Sequence, residues 1–293
     1  MTVSRSSAEP LTPRLRGLRD DLQPALQRIA DLILASPERV AGMTITELAR
    51  EAECSEATVV RFAREVGHRG YRDLRVQIHR EAWADQHRPP LSGESGDIDR
   101  DDDLATITQK IANADARAVH DTVRGLDLAV LGRAAEQVVS AGRVMVFGVG
   151  ASGLAAMDTQ QKLFRIGLPA IVHTEAHSGL SAAGLLDAGD LALVLSHSGR
   201  TVEAVEVARV AHDSGARVIA ITGSVASPLA READEALLAT AVEAPFRSGA
   251  TASRIAQLTV IDCLFVAAAT LLPDLGQEAL RRTRTAVERR RLG

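Results

Sequence analysis

Two cysteines, two lysines and seven aromatic side chains are all that this 293-residue chain contains of those types. Cys54 and Cys263 are too few and too far apart for a disulfide scaffold. No Cys/His spacing has the form of a zinc site, so neither metal nor cofactor is expected. So few aromatics leave no stacking platform for single-stranded nucleic acid. The opening "MTVSRSSAEP" lacks the apolar core of a signal peptide, which makes the cytoplasm the expected location. The longest apolar run, 255–272 "IAQLTVIDCLFVAAATLL", approaches membrane-spanning length. Asp262 near its centre would cost ~2.5–3.5 kcal/mol in a bilayer, so a buried helix and no membrane partner are expected. A net charge of −4 excludes wholesale coating of nucleic acid and leaves room for a local basic face.

What is present falls into segments. Residues 81–103, "EAWADQHRPPLSGESGDIDRDDD", carry eight acidic residues against two arginines, with two prolines and two glycines. Such a stretch cannot bury a core and repels itself, which is linker chemistry. Before it only helical periods occur, broken at Pro24. After it, 104–126 reads as a connecting helix and "LDLAVLGRAAEQVVSAG" as another, closed by Gly142. From "RVMVFGVG" onward, continuous apolar strands alternate with helices. That pattern implies a parallel sheet with helices on both faces, a flavodoxin-type α/β sandwich, with ligands at the carboxyl ends of its strands. The expected division is an all-α unit over 1–80, the linker 81–103, the helix 104–126, the α/β domain 127–272 and a basic helix or tail over 273–293.

"ITELAREAECSEATVVRFAREVG" has the layout of a helix-turn-helix. The first helix runs from Thr46 to Ala52 with Leu48 and Ala49 inward, and Cys54 and Ser55 occupy the turn. Ser55 is placed to cap the second helix. Val59, Val60, Phe62 and Ala63 give that helix its apolar side. Glu56, Ala57, Thr58, Arg61 and Arg64 are left for the outer face, and Thr58 and Arg61 are the expected base contacts. Residues 57–80 hold six arginines against Glu65 and Asp73, a net of +4. An ordinary helical bundle with surface arginines would read similarly. On the helix-turn-helix reading, double-stranded DNA is the partner and Ser55, Glu56, Thr58, Arg61, Arg64 and Arg69 form the interface.

"MTITELAREAECSEATVVRFAREVGHRGYRDLRVQI" resembles the N-terminal domain of the RpiR/MurR family of bacterial transcriptional regulators. The family pattern is matched at Thr44, Ile45, Glu47, Leu48, Ala49, Ser55, Ala57, Thr58, Val59, Arg61, Phe62, Gly67, Gly70 and Tyr71. It is departed from at Cys54, His68 and Leu74, where the family carries valine, phenylalanine and phenylalanine. Of these, His68 is expected to loosen the packing at the domain's end.

In the C-terminal half, "FGVGASGLAA" spaces Gly148, Gly150 and Gly153 as a dinucleotide fingerprint does, with Glu175 available after the next strand. Two strands later "SHSGRT" repeats a hydroxyl-bearing turn at a strand's end. Two such turns facing one pocket suit a compact sugar phosphate better than a long dinucleotide. Ser152, Ser196, Ser198 and Thr201, with the backbone at Gly150 and Gly199, are the expected ligand contacts; Glu175, His177 and Glu203 are further candidates. Helix capping alone would also account for serine and threonine here. Residues 127–272 resemble a SIS (sugar isomerase) domain in the form it takes in RpiR/MurR regulators. By that resemblance the four hydroxyls contact a phosphosugar, and the domain associates into a homodimer or homotetramer.

An isomerase would need a base aimed at bound sugar, and no candidate is paired in sequence with an orienting partner. The expectation is a DNA-binding repressor of sugar-metabolism genes, controlled by a phosphorylated sugar, with no catalytic residues. The alternatives are a phosphosugar isomerase and a dinucleotide-binding protein.

Overall fold

The structure is a computed structural model describing residues 11–19, 22–86, 98–241 and 251–288. The chain forms two compact units, Met1–Gly96 with Asp103–Asn113, and Asp97–Asp102 with Ala114–Gly293. The centre of the acidic linker, 87–97, and the last five residues lie outside the described part.

The first unit is helical: α1 (Leu11–Leu18), α2 (Pro24–Ala35), α3 (Pro37–Gly42), α4 (Ile45–Glu51), α5 (Glu56–Glu65) and α6 (Tyr71–Gln86). Pro24 and Pro37 open α2 and α3, where a missing N–H costs nothing. Thr44 caps α4 in a reciprocal box with Glu47: the Thr44 hydroxyl accepts the Glu47 amide, and the Glu47 carboxylate accepts the Thr44 amide at 2.7 Å. Leu15, Ile29, Ile33, Leu48, Val59, Phe62, Leu74 and Ile78 make one fully buried core, each large side chain contributing ~1.5–3 kcal/mol. α6 runs on to Gln86, into the stretch read as linker, because Glu81 is held. Its buried carboxylate accepts the Leu11 amide and, at 2.8 Å, the Thr12 amide, which caps α1.

His68 does not loosen this core. Its ring is buried, with Nε2 at 3.1 Å from the Arg14 guanidinium and Nδ1 at 3.7 Å from the Asp73 carboxylate. A polar ring is accommodated where the family carries phenylalanine because both nitrogens meet polar neighbours.

The second unit is built on five parallel strands: β1 (Val144–Gly148), β2 (Ala170–His173), β3 (Leu191–Leu195), β4 (Arg217–Thr222) and β5 (Glu235–Leu238). Their spatial order is β2-β1-β3-β4-β5. Between them run α9 (Gly150–Arg165), α10 (Ala176–Ala183), α11 (Val202–Asp213) and α12 (Pro228–Glu232). α7 (Leu104–Gly125) and α8 (Leu128–Ser140) precede the sheet; α13 (Thr251–Thr270) and α14 (Pro273–Glu288) follow it. Alternate strand residues feed opposite faces. Val144, Val146, Leu193, Leu195 and Ile221 pack with α8, α9 and α13, while Phe147, Val194 and Ala220 pack with α10 and α11. Both faces being covered explains the unbroken apolar runs.

Three sequence readings take their physical form here. Asp127 caps α8 by accepting the Ala129 and Val130 amides. α8 then ends at Ser140, with Ala141 extended. Gly142 does not close the helix; its amide donates to the Gly189 carbonyl at 2.8 Å. The apolar run near the C-terminus is α13. By length and composition Ala252–Thr270 is sufficient to cross a membrane, yet it packs on α8 and α9. Its Asp262 meets Lys162 of α9 at 2.5 Å.

Candidate functional site

The helix-turn-helix consists of α4, a turn through Ala52–Ser55 and α5. The first helix starts at Ile45, one residue before the reading of Thr46–Ala52, because Thr44 is its cap, and the second starts after Ser55 as read. Glu53, at φ 49, makes the sharp bend. Ser55 caps α5: its hydroxyl accepts the Thr58 amide at 3.2 Å and lies 2.9 Å from the Thr58 hydroxyl. Val59, Phe62 and Ala63 are buried against the core, and Val60 is half-buried. Ser55, Glu56, Ala57, Arg61 and Arg64 are exposed, with Thr58 partly so. Glu56 accepts from the Thr46 hydroxyl at 2.6 Å and so ties α5 to α4. Arg61 donates to the Gln23 side chain at 3.1 Å, and Arg69 to Asp73 at 3.3 Å. Arg64 has no polar partner among the described residues.

In the α/β unit the chain leaves β1 toward β2 on one side, and β3 lies on the other. The β1/β3 boundary is therefore the topological switch point, where open parallel sheets form their ligand crevice. Gly148 pairs in register with Leu195, so the turns after β1 and β3 start level with each other. The first turn is drawn tight. A Cβ on Gly148 would lie 2.6 Å from the Ser152 carbonyl oxygen, and Gly150 adopts φ +59. In the second, buried Ser196 accepts the Gly199 amide at 3.2 Å and lies 3.0 Å from the Thr201 hydroxyl. Ser198 is exposed and accepts the Arg200 amide at 3.2 Å. Thr201 precedes α11 without capping it through its side chain. Gly150 and Ser152 thus follow β1, and Ser196, Ser198, Gly199 and Thr201 follow β3, its neighbour in the sheet.

The remaining candidates stand differently. Glu175 caps α10: its two carboxylate oxygens accept the His177 and Ser178 amides at 2.7 and 2.9 Å. Those two N–H groups hold its carboxyl below the ordinary range. Engaged in this way, Glu175 is not free to grip a ribose, as a dinucleotide site would require. His177 is exposed on the same turn, after β2 rather than at the β1/β3 boundary. Glu203 is half-buried in the first turn of α11 and has no hydrogen-bond partner among the described residues. A cleft of about 380 Å³ opens at the other end of the sheet, beside the amino ends of β3 and β4. Two of its charged lining residues are engaged, Asp190 by Arg143 and Arg133 by Glu235.

Sequence reading missed one residue at the crevice. The Gln257 side-chain amide, 1% exposed, donates to the Ser152 hydroxyl at 3.0 Å. The available signal was a lone amide inside the apolar run of α13.

Residues 10–85 match the family described as the helix-turn-helix domain of the rpiR family, and residues 137–267 match the SIS domain. An uncharacterized HTH-type transcriptional regulator of Caldanaerobacter subterraneus is 38% identical over 86% of this chain and 88% of its own length. A second, from Haemophilus influenzae, is 30% identical over 95% of this chain and 96% of its own. Among solved structures, the NanR protein of Vibrio vulnificus, complexed with ManNAc-6P, is similar with a TM-score of 0.61. It is 29% identical, and the likeness covers 97% of this chain and all of that one. Helix-turn-helix, parallel α/β unit and relatives agree, and the chain belongs to the RpiR-type family of transcriptional regulators, which join a helix-turn-helix to a SIS domain.

Proposed function

We propose that this regulator is a repressor of sugar-metabolism genes, released from or recruited to double-stranded DNA by a phosphorylated sugar held at the β1/β3 crevice. The observation that carries the reading is the pair of hydroxyl-bearing turns leaving adjacent, in-register strands. One of them opens a sixteen-residue helix, whose first N–H groups lack intrahelical acceptors and whose dipole favours an anion. Ser152, Ser196, Ser198 and Thr201 supply hydroxyls for phosphate and sugar oxygens, with the backbone of Gly150 and Gly199 allowing close approach. The NanR relative, complexed with ManNAc-6P, supports this ligand class.

In this reading α5 lies in the major groove with Thr58 and Arg61 at base edges, while Ser55, Glu56, Arg64 and Arg69 set register and backbone contacts. Two-fold half-sites call for at least a dimer. The crevice senses and does not turn its ligand over. Glu175 is engaged in capping α10, and among the described residues Glu203 has no orienting partner of the kind a general base uses. The ligand acts by binding one of two conformations more tightly, which is what a shift in DNA affinity requires.

The test is a thermal-shift series on the full chain with ManNAc-6P, glucosamine 6-phosphate and N-acetylmuramic acid 6-phosphate. It is followed by selection of duplex sequences with and without the sugar that binds. A stabilising sugar that also moves DNA affinity is expected. Turnover of that sugar would establish the isomerase alternative, and absence of any shift would remove the sensor.

A further inference from the structure

Gln257 sits in the middle of α13, in a run where leucine or alanine would pack without an unmet polar group. Burying an amide there is costly unless it is hydrogen-bonded. It is nevertheless 1% exposed, and its Nε2 donates to Ser152 Oγ across 105 positions of sequence. The –NH₂ of glutamine can only donate, so Ser152 must accept, and one lone pair of its hydroxyl is taken. Among the described residues Ser152 Oγ has no second partner, and none of them accepts its O–H proton.

That proton belongs to a hydroxyl on the first turn of α9, beside the N–H groups of Gly150, Ala151 and Ser152. The backbone there has little room to move. Gly148 stands so close that a Cβ would lie 2.8 Å from the Ser152 carbonyl carbon, and a Cβ on Gly153 would lie 2.9 Å from the Gly148 oxygen. The amide fixes the hydroxyl, and the tight turn fixes its Cα.

We propose that Gln257 is a positioning residue of the ligand site, whose buried amide makes the Ser152 hydroxyl a one-way hydrogen-bond donor toward an anionic ligand oxygen at the start of α9. The inference rests on the crevice being a phosphate-holding site, and deepens it. Donor polarity at this turn comes from α13, a helix distant from it in sequence. A ligand presenting a hydroxyl that must donate is disfavoured at this position, and a phosphate or carboxylate oxygen is preferred.

The test is calorimetric titration of the full chain with inorganic phosphate for the wild type, Ser152→Ala, Gln257→Met, Gln257→Glu and the Ser152→Ala/Gln257→Met double variant. Each of the first two substitutions is expected to weaken phosphate binding by about fivefold to tenfold. The double variant is expected to bind like Ser152→Ala alone, because Gln257 acts through Ser152. Gln257→Glu, which turns the partner into an acceptor and adds a negative charge, is expected to remove binding. A purely structural Gln257 would instead give losses that multiply in the double variant, and that result overturns the proposal, as does wild-type affinity in Gln257→Met. A wild type that binds no phosphate overturns the phosphate-site reading and this inference together, whereas intact wild-type binding with multiplying losses overturns only the inference. Should Gln257→Met not fold, the side-chain amide resonance of Gln257 in the unaltered protein decides. It must shift on adding phosphate and must not shift in Ser152→Ala; a resonance that stays still in the wild type overturns the proposal.

Discussion

Gly199 lies against Ser227 so closely that a Cβ on it would stand 2.3 Å from the Ser227 hydroxyl oxygen and 2.7 Å from that of Thr222. Its φ of +61 is a second reason for glycine. Gly199→Ala is therefore expected to cost at least ~2 kcal/mol, combining left-handed strain with the clash. It also displaces the β3–α11 turn. Calorimetric unfolding of the full chain should show the loss, together with an absent thermal response to the sugar that stabilises the wild type. An unchanged melting temperature would show that the turn is slack.

Ser55 and Thr58 make a second prediction separable. Ser55→Ala removes the cap of α5 and is expected to lower stability by ~1 kcal/mol, weakening DNA binding as α5 frays. Ser55→Asp keeps a capping oxygen and should retain stability. If α5 meets the phosphate backbone as proposed, the added charge should still weaken DNA binding. Chemical denaturation and duplex binding measured side by side distinguish the two effects.

Arg61 and Arg69 should differ in kind. Arg61→Ala is expected to cost ~1–3 kcal/mol on the selected site and to relax preference at one base position. Arg69→Ala should weaken all duplexes alike and reduce the salt slope of binding by about one. Equal, sequence-independent losses for both would place Arg61 on the backbone.

His68 gives the helical unit a pH dependence of its own near neutrality. Burial first, then the Arg14 guanidinium, pushes its imidazole below the ordinary value of 6.5, while Asp73 and Glu81 pull the other way. The folded protein therefore resists a proton that the unfolded chain accepts. Stability contributed by the neutral ring is complete above about pH 6.5, falls as pH drops through that value and levels off below the folded pKa. His68→Phe should flatten this part of the acid limb in unfolding midpoints measured from pH 8 to 5. An identical acid limb in the variant would assign the dependence to other groups.

Much of this was legible locally. The apolar runs Val144–Gly148, Leu191–Leu195 and Arg217–Thr222 announce strands because both faces of the sheet are covered, so no polar alternation interrupts them. Ser55 announces the start of α5 because capping is decided within three or four residues. The same locality explains the readings that did not hold. Gly142 resembles a helix stop, yet its amide is claimed by Gly189, forty-seven positions away. His68 resembles a packing defect, yet Arg14 and Asp73 meet its ring from other helices.

By itself the sequence determined the helix-turn-helix, the parallel α/β pattern and the hydroxyl-bearing turns after two strands, all of which depend on periodicity and neighbours a few residues apart. The tertiary structure alone decided the order β2-β1-β3-β4-β5, which sets both turns at one switch point, and the bond from Gln257 to Ser152. It also decided that Glu175 serves α10 as its cap. Strand order and long-range hydrogen bonds follow from how covered faces pack together, and no spacing within a single segment encodes that.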